Sequence, residues 1–247
     1  MVFPETAKDD RGMTIYERML SLPLFQGMNK DDLTHLAGHT KFDFCRVEAG
    51  KVLVKDGEAC TFLCFLMKGM LRVSSEADDH SFMLVEELKA PAILQPERIF
   101  GLYQRFSHTF TTTTPCNCLF IQKSDVVRIA EENAIFRINL LNMISTQSQR
   151  LCRNLWHQQP DSLQERIVRF IESRSLYPAG HKSLHIKMTR LAHELNDSRL
   201  DISRALNAMQ DAGLLALHRG CIEIPALERL INHSFCCNAA TGGLTDC

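Results

Sequence analysis

The sequence lacks the marks of a membrane protein and of a chain attracted to nucleic acid by its overall charge. No apolar run approaches the roughly 20 residues that a membrane-spanning helix needs. The first residues, MVFPETAKDDRG, are acidic and contain no hydrophobic segment, so we expect no secretory signal there. With 28 Lys and Arg against 29 Asp and Glu, the net charge is −1. Any DNA binding must therefore depend on a local group of cationic side chains.

Motifs that accompany catalysis or metal binding are also missing. No Gly-rich phosphate loop, GxSxG elbow or HExxH occurs, so we do not expect an enzyme. The ten cysteines are scattered, without a CxxC pair or a zinc-type Cys/His spacing. Most are expected to be reduced core residues of a cytoplasmic protein. An iron–sulfur cluster held by some of them is the alternative.

Short β-rich runs follow one another from about residue 40 to residue 122. Gly50, Gly57 and Gly69 separate them, a pattern typical of an antiparallel sandwich or barrel. With a helical lead-in, this region forms a predicted β domain over residues 14–123. Its least regular stretch, KAPAILQPERIFGLYQRF, is a candidate binding segment.

A helical region is predicted over residues 124–159, with one long helix over residues 134–157. Apolar and small side chains recur along it at spacings of three and four, as in a coiled-coil seam. They are Leu141, Ile144, Ser148, Leu151 and Leu155. A second copy of the chain is expected to cover this seam. The alternative is a helix packed along its own β domain.

Residues 160–235 predict a helix-turn-helix followed by a β-hairpin. The first helix ends at Asn196, Ser198 caps the second with Asp201 three residues on, and Gly213 ends it. LLAL and CIEI then flank a His-Arg-Gly turn, which places a wing behind the second helix. The tail, residues 236–247, is expected to be disordered.

The second helix of this motif has two different faces at 100° per residue. Ile202, Leu206 and Met209 share the inward side. The outward side presents polar and cationic groups of the kind that contact phosphates and base edges in a major groove. These outward residues are Arg199, Leu200, Ser203, Arg204 and Asn207. Arg219, on the wing turn, is a candidate phosphate contact. The alternative is a surface helix pair with a solvated face.

The order of these elements resembles the Crp/Fnr family of bacterial transcription regulators over about residues 15–230. The resemblance is carried by PLFQGM, by the glycine frame AGKVLVKDGEACTFLCFLMKGMLRV and by SRLDISRAL. It implies an α+β fold with an N-terminal antiparallel β-roll (a double-stranded β-helix or jelly roll), a long dimerisation helix and a C-terminal winged helix-turn-helix. The expected partners are a second copy, palindromic double-stranded DNA and RNA polymerase.

The family pattern also indicates which residues contact DNA. Ser198, Arg199 and Arg204 match its DNA-contacting positions. Leu200 departs from the Glu that many relatives carry, and a leucine can offer only apolar contact, for instance to a thymine methyl group. We therefore expect an operator different from the commonest one.

The effector segment departs from the family pattern more strongly. Relatives that bind cyclic AMP carry a Gly-Glu-Leu phosphate loop and then an Arg-Ser/Thr pair. Here Glu86 and Glu87 occupy the loop position and Arg105 lies out of register, which argues against a cyclic nucleotide. No cysteine precedes Cys45, which argues against the iron–sulfur branch. The expected effector pocket is lined by Phe82, Glu86, Phe100, Arg105 and His108.

The phenylalanines of the β domain have two interpretations. Phe62, Phe65, Phe82, Phe100, Phe106 and Phe110 are either plain core or the walls of a pocket for an apolar ligand such as haem. In the second case His108, Met67, Met70 and Met83 are candidate axial ligands. The predicted function is a homodimeric DNA-binding regulator controlled by an effector, with haem or a redox or nitrosative signal as candidates. The alternative, favoured by the near-neutral charge, is a small-molecule-binding signalling module that acts through a protein partner.

Overall fold

The computed structural model describes residues 15–156, 160 and 162–233, and these form two compact units. Unit 1 contains the described residues up to 72 together with 88–152. Unit 2 contains residues 73–87 together with the described residues from 153 onward. The predicted β domain, residues 14–123, included residues 73–87, whereas these residues cluster with the C-terminal part of the chain. The predicted disordered tail lies outside the described residues.

Unit 1 begins with two helices joined by a short 3-10 turn. Helix α1 covers Ile15–Leu20, the turn covers Pro23–Phe25, and α2 covers Lys30–His39. Asn29 caps α2 reciprocally with Asp32. The Asp32 amide donates to Asn29 Oδ1 at 2.8 Å, and the Asn29 amide donates to Asp32 Oδ2 at 3.2 Å. The sequence pattern of a capping box is therefore confirmed.

Eight strands follow in sequence and pair with their neighbours in antiparallel fashion. They are β1 Asp43–Val47, β2 Val52–Val54, β3 Phe62–Lys68, β4 Met70–Glu76, β5 Phe82–Lys89, β6 Ala92–Leu94, β7 Thr109–Thr112 and β8 Cys116–Gln122. In unit 1, one sheet has the order β1-β8-β3-β6, and β2 pairs with β7. Gly69 connects β3 to β4 at φ 104°. A Cβ there would lie 2.7 Å from Cys116 Sγ, so only glycine fits.

Aromatic rings fill the interior of unit 1. Phe25 lies 5.6 Å from Phe65 and 5.5 Å from Phe136 between ring centroids. Phe62 lies 5.7 Å from Phe106. Because these rings contact one another at ordinary aromatic packing distances, they form plain core.

Two helices complete this part of the chain, α3 over Lys123–Glu132 and α4 over Ala134–Trp156. Asn133 separates them, and its Oδ1 accepts from the Phe136 amide at 2.9 Å. Phe136 and Leu140, on one side of α4, are buried. The predicted long helix over residues 134–157 is therefore present over residues 134–156, and residue 157 lies outside the described residues.

Unit 2 has the order of a winged helix. Its elements are α5 Leu163–Arg174, β9 Lys182–Ile186, α6 Met188–Leu195, α7 Arg199–Asp211, β10 Ala216–His218, β11 Cys221–Ile224 and α8 over residues 227–233. Its sheet has the order β10-β11-β9-β5, with β4 beside β5. The core lies between this sheet and the helices, with Leu84, Ile171, Leu191 and Leu206 almost fully buried.

In the part of the chain that the structure describes, no helix is long and apolar enough to cross a membrane.

Candidate nucleic-acid interface

The turn between α6 and α7 fixes where the second helix begins. Asn196 adopts the left-handed conformation at φ 49°, which ends α6. The Ser198 hydroxyl accepts from the Asp201 amide at 3.1 Å and donates to Asp201 Oδ2 at 2.6 Å. Asn196 and Ser198 therefore have the roles that the sequence predicted.

An arginine from α5 holds this turn in place, and sequence reasoning missed it. Arg166 Nη1 donates to the Leu195 carbonyl at 3.0 Å, and Nη2 contacts Asp197 Oδ2 at 2.6 Å. The second oxygen of Asp197 accepts from the Ser198 amide at 2.7 Å. The start of α7 is thus connected to α5 through two side chains. In the sequence Arg166 directly precedes the inward-facing Ile167. That position alone does not indicate that its side chain contacts another helix.

The two faces of α7 separate as predicted. Ile202, Leu206 and Met209 are buried, with 0–3% of their surface exposed. The opposite side exposes Arg199, Leu200, Arg204 and Asn207, while Ser203 is half-buried. Leu200 is 59% exposed on this side.

One of the two arginines on this face is partly compensated. Arg204 Nη1 lies 3.4 Å from Asp201 Oδ1, one helical turn earlier. Both side chains are largely exposed, so this ion pair is weak and can be replaced by a stronger anion. Arg199 and Arg204 can therefore both present a guanidinium group to DNA.

The wing is a two-stranded hairpin held by side chains at its base. Its turn contains the exposed Arg219 and Gly220, the latter at φ 75°. Glu223 accepts from His181 Nε2 at 3.0 Å and from His218 Nε2 at 3.1 Å, and these hydrogen bonds lower the pKa of its carboxyl. Arg219 thus extends from a hairpin of defined geometry.

A side chain of α7 also holds the start of the wing. Gln210 Oε1 accepts from the Leu217 amide at 2.8 Å. This hydrogen bond connects the end of α7 to the first strand of the wing.

The predicted seam of α4 is largely exposed in the single chain. Leu141 and Leu151 are 58% and 60% exposed, Ser148 is exposed, and Ile144 is half-buried. The side chain of Leu155 lies outside the described residues. Ile138, which the prediction omitted, is 54% exposed on the same helix.

Two residues of the expected effector pocket are core residues of unit 2, which corrects their assignment. Phe82 packs against Phe170 with ring centroids 5.6 Å apart. Glu86 is fully buried and pairs with Lys182. Both lie on the inward side of β5, so neither lines a pocket of unit 1. Met83, a candidate axial ligand, lies on the same strand.

The other three expected pocket residues belong to unit 1. Arg105 is exposed and donates to the Gly57 carbonyl at 2.7 Å. The ring of Phe100 is half-buried beneath Lys123 Nζ, 5.3 Å from its centroid. His108 is half-buried.

A polar cluster in the same region of unit 1 was not predicted. Gln95, in the left-handed conformation, donates through Nε2 to Ser107 Oγ at 2.7 Å and accepts from the Ser107 amide at 3.0 Å. Arg98 Nη2 also donates to Ser107 Oγ, at 3.1 Å, and Arg98 Nε lies 3.7 Å from Glu97 Oε1. Burial raises the pKa of the Glu97 carboxyl. The sequence signal was a polar run, QPER, between apolar neighbours.

Phe65, Phe106 and Phe110 are buried core, which supports the first of the two interpretations of the phenylalanines. No group of three or more His, Cys, Asp or Glu placed to hold a metal ion occurs among the described residues.

Four cysteines are small core residues of unit 1, as expected. Cys60, Cys64, Cys116 and Cys118 are buried free thiols. Burial raises the pKa of Cys60 to about 11, which keeps it a neutral, unreactive thiol.

The buried carboxyl of Glu97 should make stability depend on pH. Its pKa is raised in the folded state, so folded protein holds the proton to higher pH than unfolded protein does. Below the ordinary value of 4.5 both states are protonated and the carboxyl has no effect on the pH dependence. Above the raised folded pKa its ionisation disfavours folding. Glu97→Gln should therefore be more stable than wild type at pH 7, with the difference shrinking as the pH falls towards 4.5, as measured by urea unfolding.

The exposed Glu87 provides the control for this measurement. Glu87→Gln also removes one carboxylate, but from an exposed position on β5. If the two variants show the same change with pH, burial of Glu97 is not the cause.

Comparison with known proteins assigns both halves of the chain to domain families. A cyclic nucleotide-binding domain model matches residues 44–133, and a Crp-like helix-turn-helix domain model matches residues 149–232. No curated protein sequence matches the chain.

Solved structures resemble the chain at low sequence identity. A transcriptional regulator assigned to the Crp/Fnr family from Eubacterium rectale is 22% identical, with 85% of this chain and 97% of that one covered at a TM-score of 0.47. The catabolite activator protein of Thermus thermophilus is 16% identical, with 86% and 98% covered and a TM-score of 0.46. The sensor domain of the regulator DNR from Pseudomonas aeruginosa is 16% identical, with 60% and 95% covered and a TM-score of 0.46.

The two domain models together span well over half of the 247 residues, in the order of the observed units. The chain belongs to the Crp/Fnr family of transcription regulators.

Proposed function

We propose that this Crp/Fnr-family regulator acts as a homodimer that binds a palindromic DNA operator through α7. The observation that carries the proposal is the exposed side of α7, where Arg199, Arg204 and Asn207 lie opposite a fully buried side. Ser198 caps this helix and fixes where it begins. Arg219 provides a further cation from the wing.

Local charge supports this function although the whole chain is nearly neutral. Three arginines occupy one helix face and one hairpin turn, which is enough for a few phosphate and base contacts. Binding should therefore be moderate in strength and depend on sequence more than on overall attraction. RNA polymerase is the proposed partner at the promoter.

The seam of α4 supports the dimer. Leu141 and Leu151 expose large apolar surfaces on one helix, and a second copy of the same helix would cover them. The polar Ser148 between them makes the contact weaker than a continuous leucine seam. A palindromic operator follows from the twofold symmetry of such a dimer.

We also propose that the effector of the β-roll is not cyclic AMP. A cyclic phosphate needs a spare cation and free backbone amides. Arg98 contacts Ser107 and lies beside Glu97. Arg105 is exposed and donates to the Gly57 carbonyl. No arginine precedes β7 in the register of the Arg-Ser/Thr pair of relatives that bind cyclic AMP, so we expect the cyclic phosphate to lack that cation.

Cyclic AMP should therefore fail to bind. Titration calorimetry on the full chain is expected to detect no binding of cyclic AMP with a Kd in the micromolar range or tighter. A micromolar Kd would contradict this account of the pocket.

Charged substitutions in the seam should separate the dimer. Ile144→Glu and Leu151→Glu would each place a carboxylate against the apolar surface of the partner helix. Burying an unpaired charge in this way costs on the order of several kcal/mol. Light scattering at micromolar concentration should give a dimer for wild type and a monomer for both variants. Asn142→Glu, an exposed position away from the seam, is the control and should stay dimeric. A monomeric wild type would refute the dimer.

Selection of bound DNA from a random pool should enrich a palindrome whose half-sites lie about 34 Å apart, one helical turn. Arg199→Ala or Arg204→Ala should cost roughly 1–3 kcal/mol and relax specificity at one base pair, because a bidentate contact to guanine is lost. Arg219→Ala should weaken binding to all sequences and reduce the salt slope by about one unit.

Arg229→Ala removes an exposed cation from α8 and should leave the selected sequence unchanged. If no palindrome is enriched, with or without cell extract to supply an effector, the regulator function is wrong. If Arg219→Ala changes the motif and neither α7 variant does, the roles of wing and helix are reversed.

A further inference from the structure

Residues 73–87, which we call the hairpin segment, fall in the β domain by sequence but group with unit 2 in the structure. They lie inside the region matched by the cyclic nucleotide-binding model, residues 44–133. In the structure they cluster with unit 2. Strand β5 pairs with β9 in antiparallel register over five residues, from Phe82 opposite Ile186 to Glu86 opposite Lys182. The hairpin segment therefore completes the sheet of the DNA-binding unit.

A buried ion pair fixes this register. Lys182 Nζ lies 2.8 Å from Glu86 Oε2, and both side chains are 0% exposed. Glu86 also accepts from the amides of Leu176 at 2.7 Å and Tyr177 at 3.2 Å. Lys182 donates in addition to the Ala179 carbonyl at 2.8 Å. A slip of one residue would turn one of the two charges to the opposite face of the sheet, so the pair permits a single alignment.

The tip of the hairpin segment contacts the first helix of the helix-turn-helix. Asp79 Oδ2 lies 3.0 Å from Arg190 Nη2 on α6. Arg190 in turn contacts Glu194 at 2.6 Å, and Glu194 contacts Arg174 of α5 at 3.2 Å. The hairpin segment is thus connected to β9 at its base and to α6 at its tip.

We infer that the hairpin segment is a positioning element of the DNA-binding unit, with Glu86 as its anchor. Without it, β9 would be an open sheet edge and Lys182 an unpaired buried charge. The chain passes from unit 1 into this segment after residue 72 and leaves it before residue 88. The link to DNA rests on the proposed function.

Substitutions at Glu86 and Glu87 in the full chain test the inference. Glu86→Gln removes the charge that faces Lys182, and Glu87→Gln removes the neighbouring exposed charge from the same strand. Two properties are measured at a temperature well below unfolding. The first is hydrogen exchange of the amides in residues 82–86 and 182–186, which reports sheet pairing. The second is affinity for the operator found by selection, over a range of salt concentrations.

The expected result is selective. Glu86→Gln should speed exchange in both segments by roughly a hundredfold, since breaking a buried pair by removing one partner is strongly destabilising. It should weaken operator binding at least about tenfold with an unchanged salt slope, because no phosphate contact is lost. Glu87→Gln should change neither property more than about twofold. The double variant Glu86→Met/Lys182→Met, which replaces the pair by apolar side chains of similar size, should recover part of both losses, since the backbone hydrogen bonds of the pair are still lost.

Three outcomes would overturn the inference. Exchange in Glu86→Gln that matches Glu87→Gln would mean that the pair does not hold the sheet. Faster exchange with unchanged operator affinity would make the segment structural without a positioning role. If Glu86→Gln does not fold, a folded double variant that still binds DNA poorly would contradict the inference. A wild type that binds no DNA would refute the proposed function, while the exchange measurements would still test the hairpin segment.

Discussion

The ion pair between Glu86 and Lys182 is the interaction on which unit 2 depends. Both charges lie in the core with no exposed surface, so each is tolerated only because the other is 2.8 Å away and backbone groups complete their hydrogen bonds. The pair forms only if β5 and β9 align in one register. That register in turn places Leu84 opposite Leu184 at the centre of the core. A pair of buried charges thus specifies the arrangement of an otherwise apolar interior.

Helix α7 is held by a second set of polar contacts. Arg166 reaches the turn before α7 and contacts both Leu195 and Asp197, while Gln210 ties the end of α7 to the wing. Between these points the buried side of α7 packs on the core. The exposed arginines therefore extend from a helix that is fixed at both ends. Accurate placement of this kind is what base contacts in a groove require.

Local sequence signals predicted the elements that carry the DNA-binding face. The break at Asn196, the cap formed by Ser198 and Asp201 and the two faces of α7 depend on residues within one or two helical turns of one another. Periodicity and capping chemistry report such short-range relations directly. The long helix α4 was predicted for the same reason, and the exposed Leu141 and Leu151 agree with the expected seam.

Long-range polar pairs could not be found in this way. Glu86 and Lys182 each occupy an inward position of a strand with alternating burial, and this was the available signal. Nothing in either strand alone says that the two strands are neighbours, because Glu86 and Lys182 lie far apart in the sequence. The position of Glu86 at the place of the family's phosphate loop therefore predicts an effector-pocket residue, whereas the fold buries it in unit 2. The Gln95, Arg98 and Ser107 cluster was missed for the same reason, since Ser107 meets the others only in the fold.

The central claim, that the exposed side of α7 enters the major groove, can be tested by crosslinking from Leu200. A photoreactive amino acid at this position, 59% exposed on that side, is predicted to crosslink to a base inside one operator half-site. The same amino acid at Leu102, an exposed leucine of unit 1, serves as the control and should give no DNA adduct. Equal crosslinking from both positions, or adducts from position 200 to protein alone, would contradict the account.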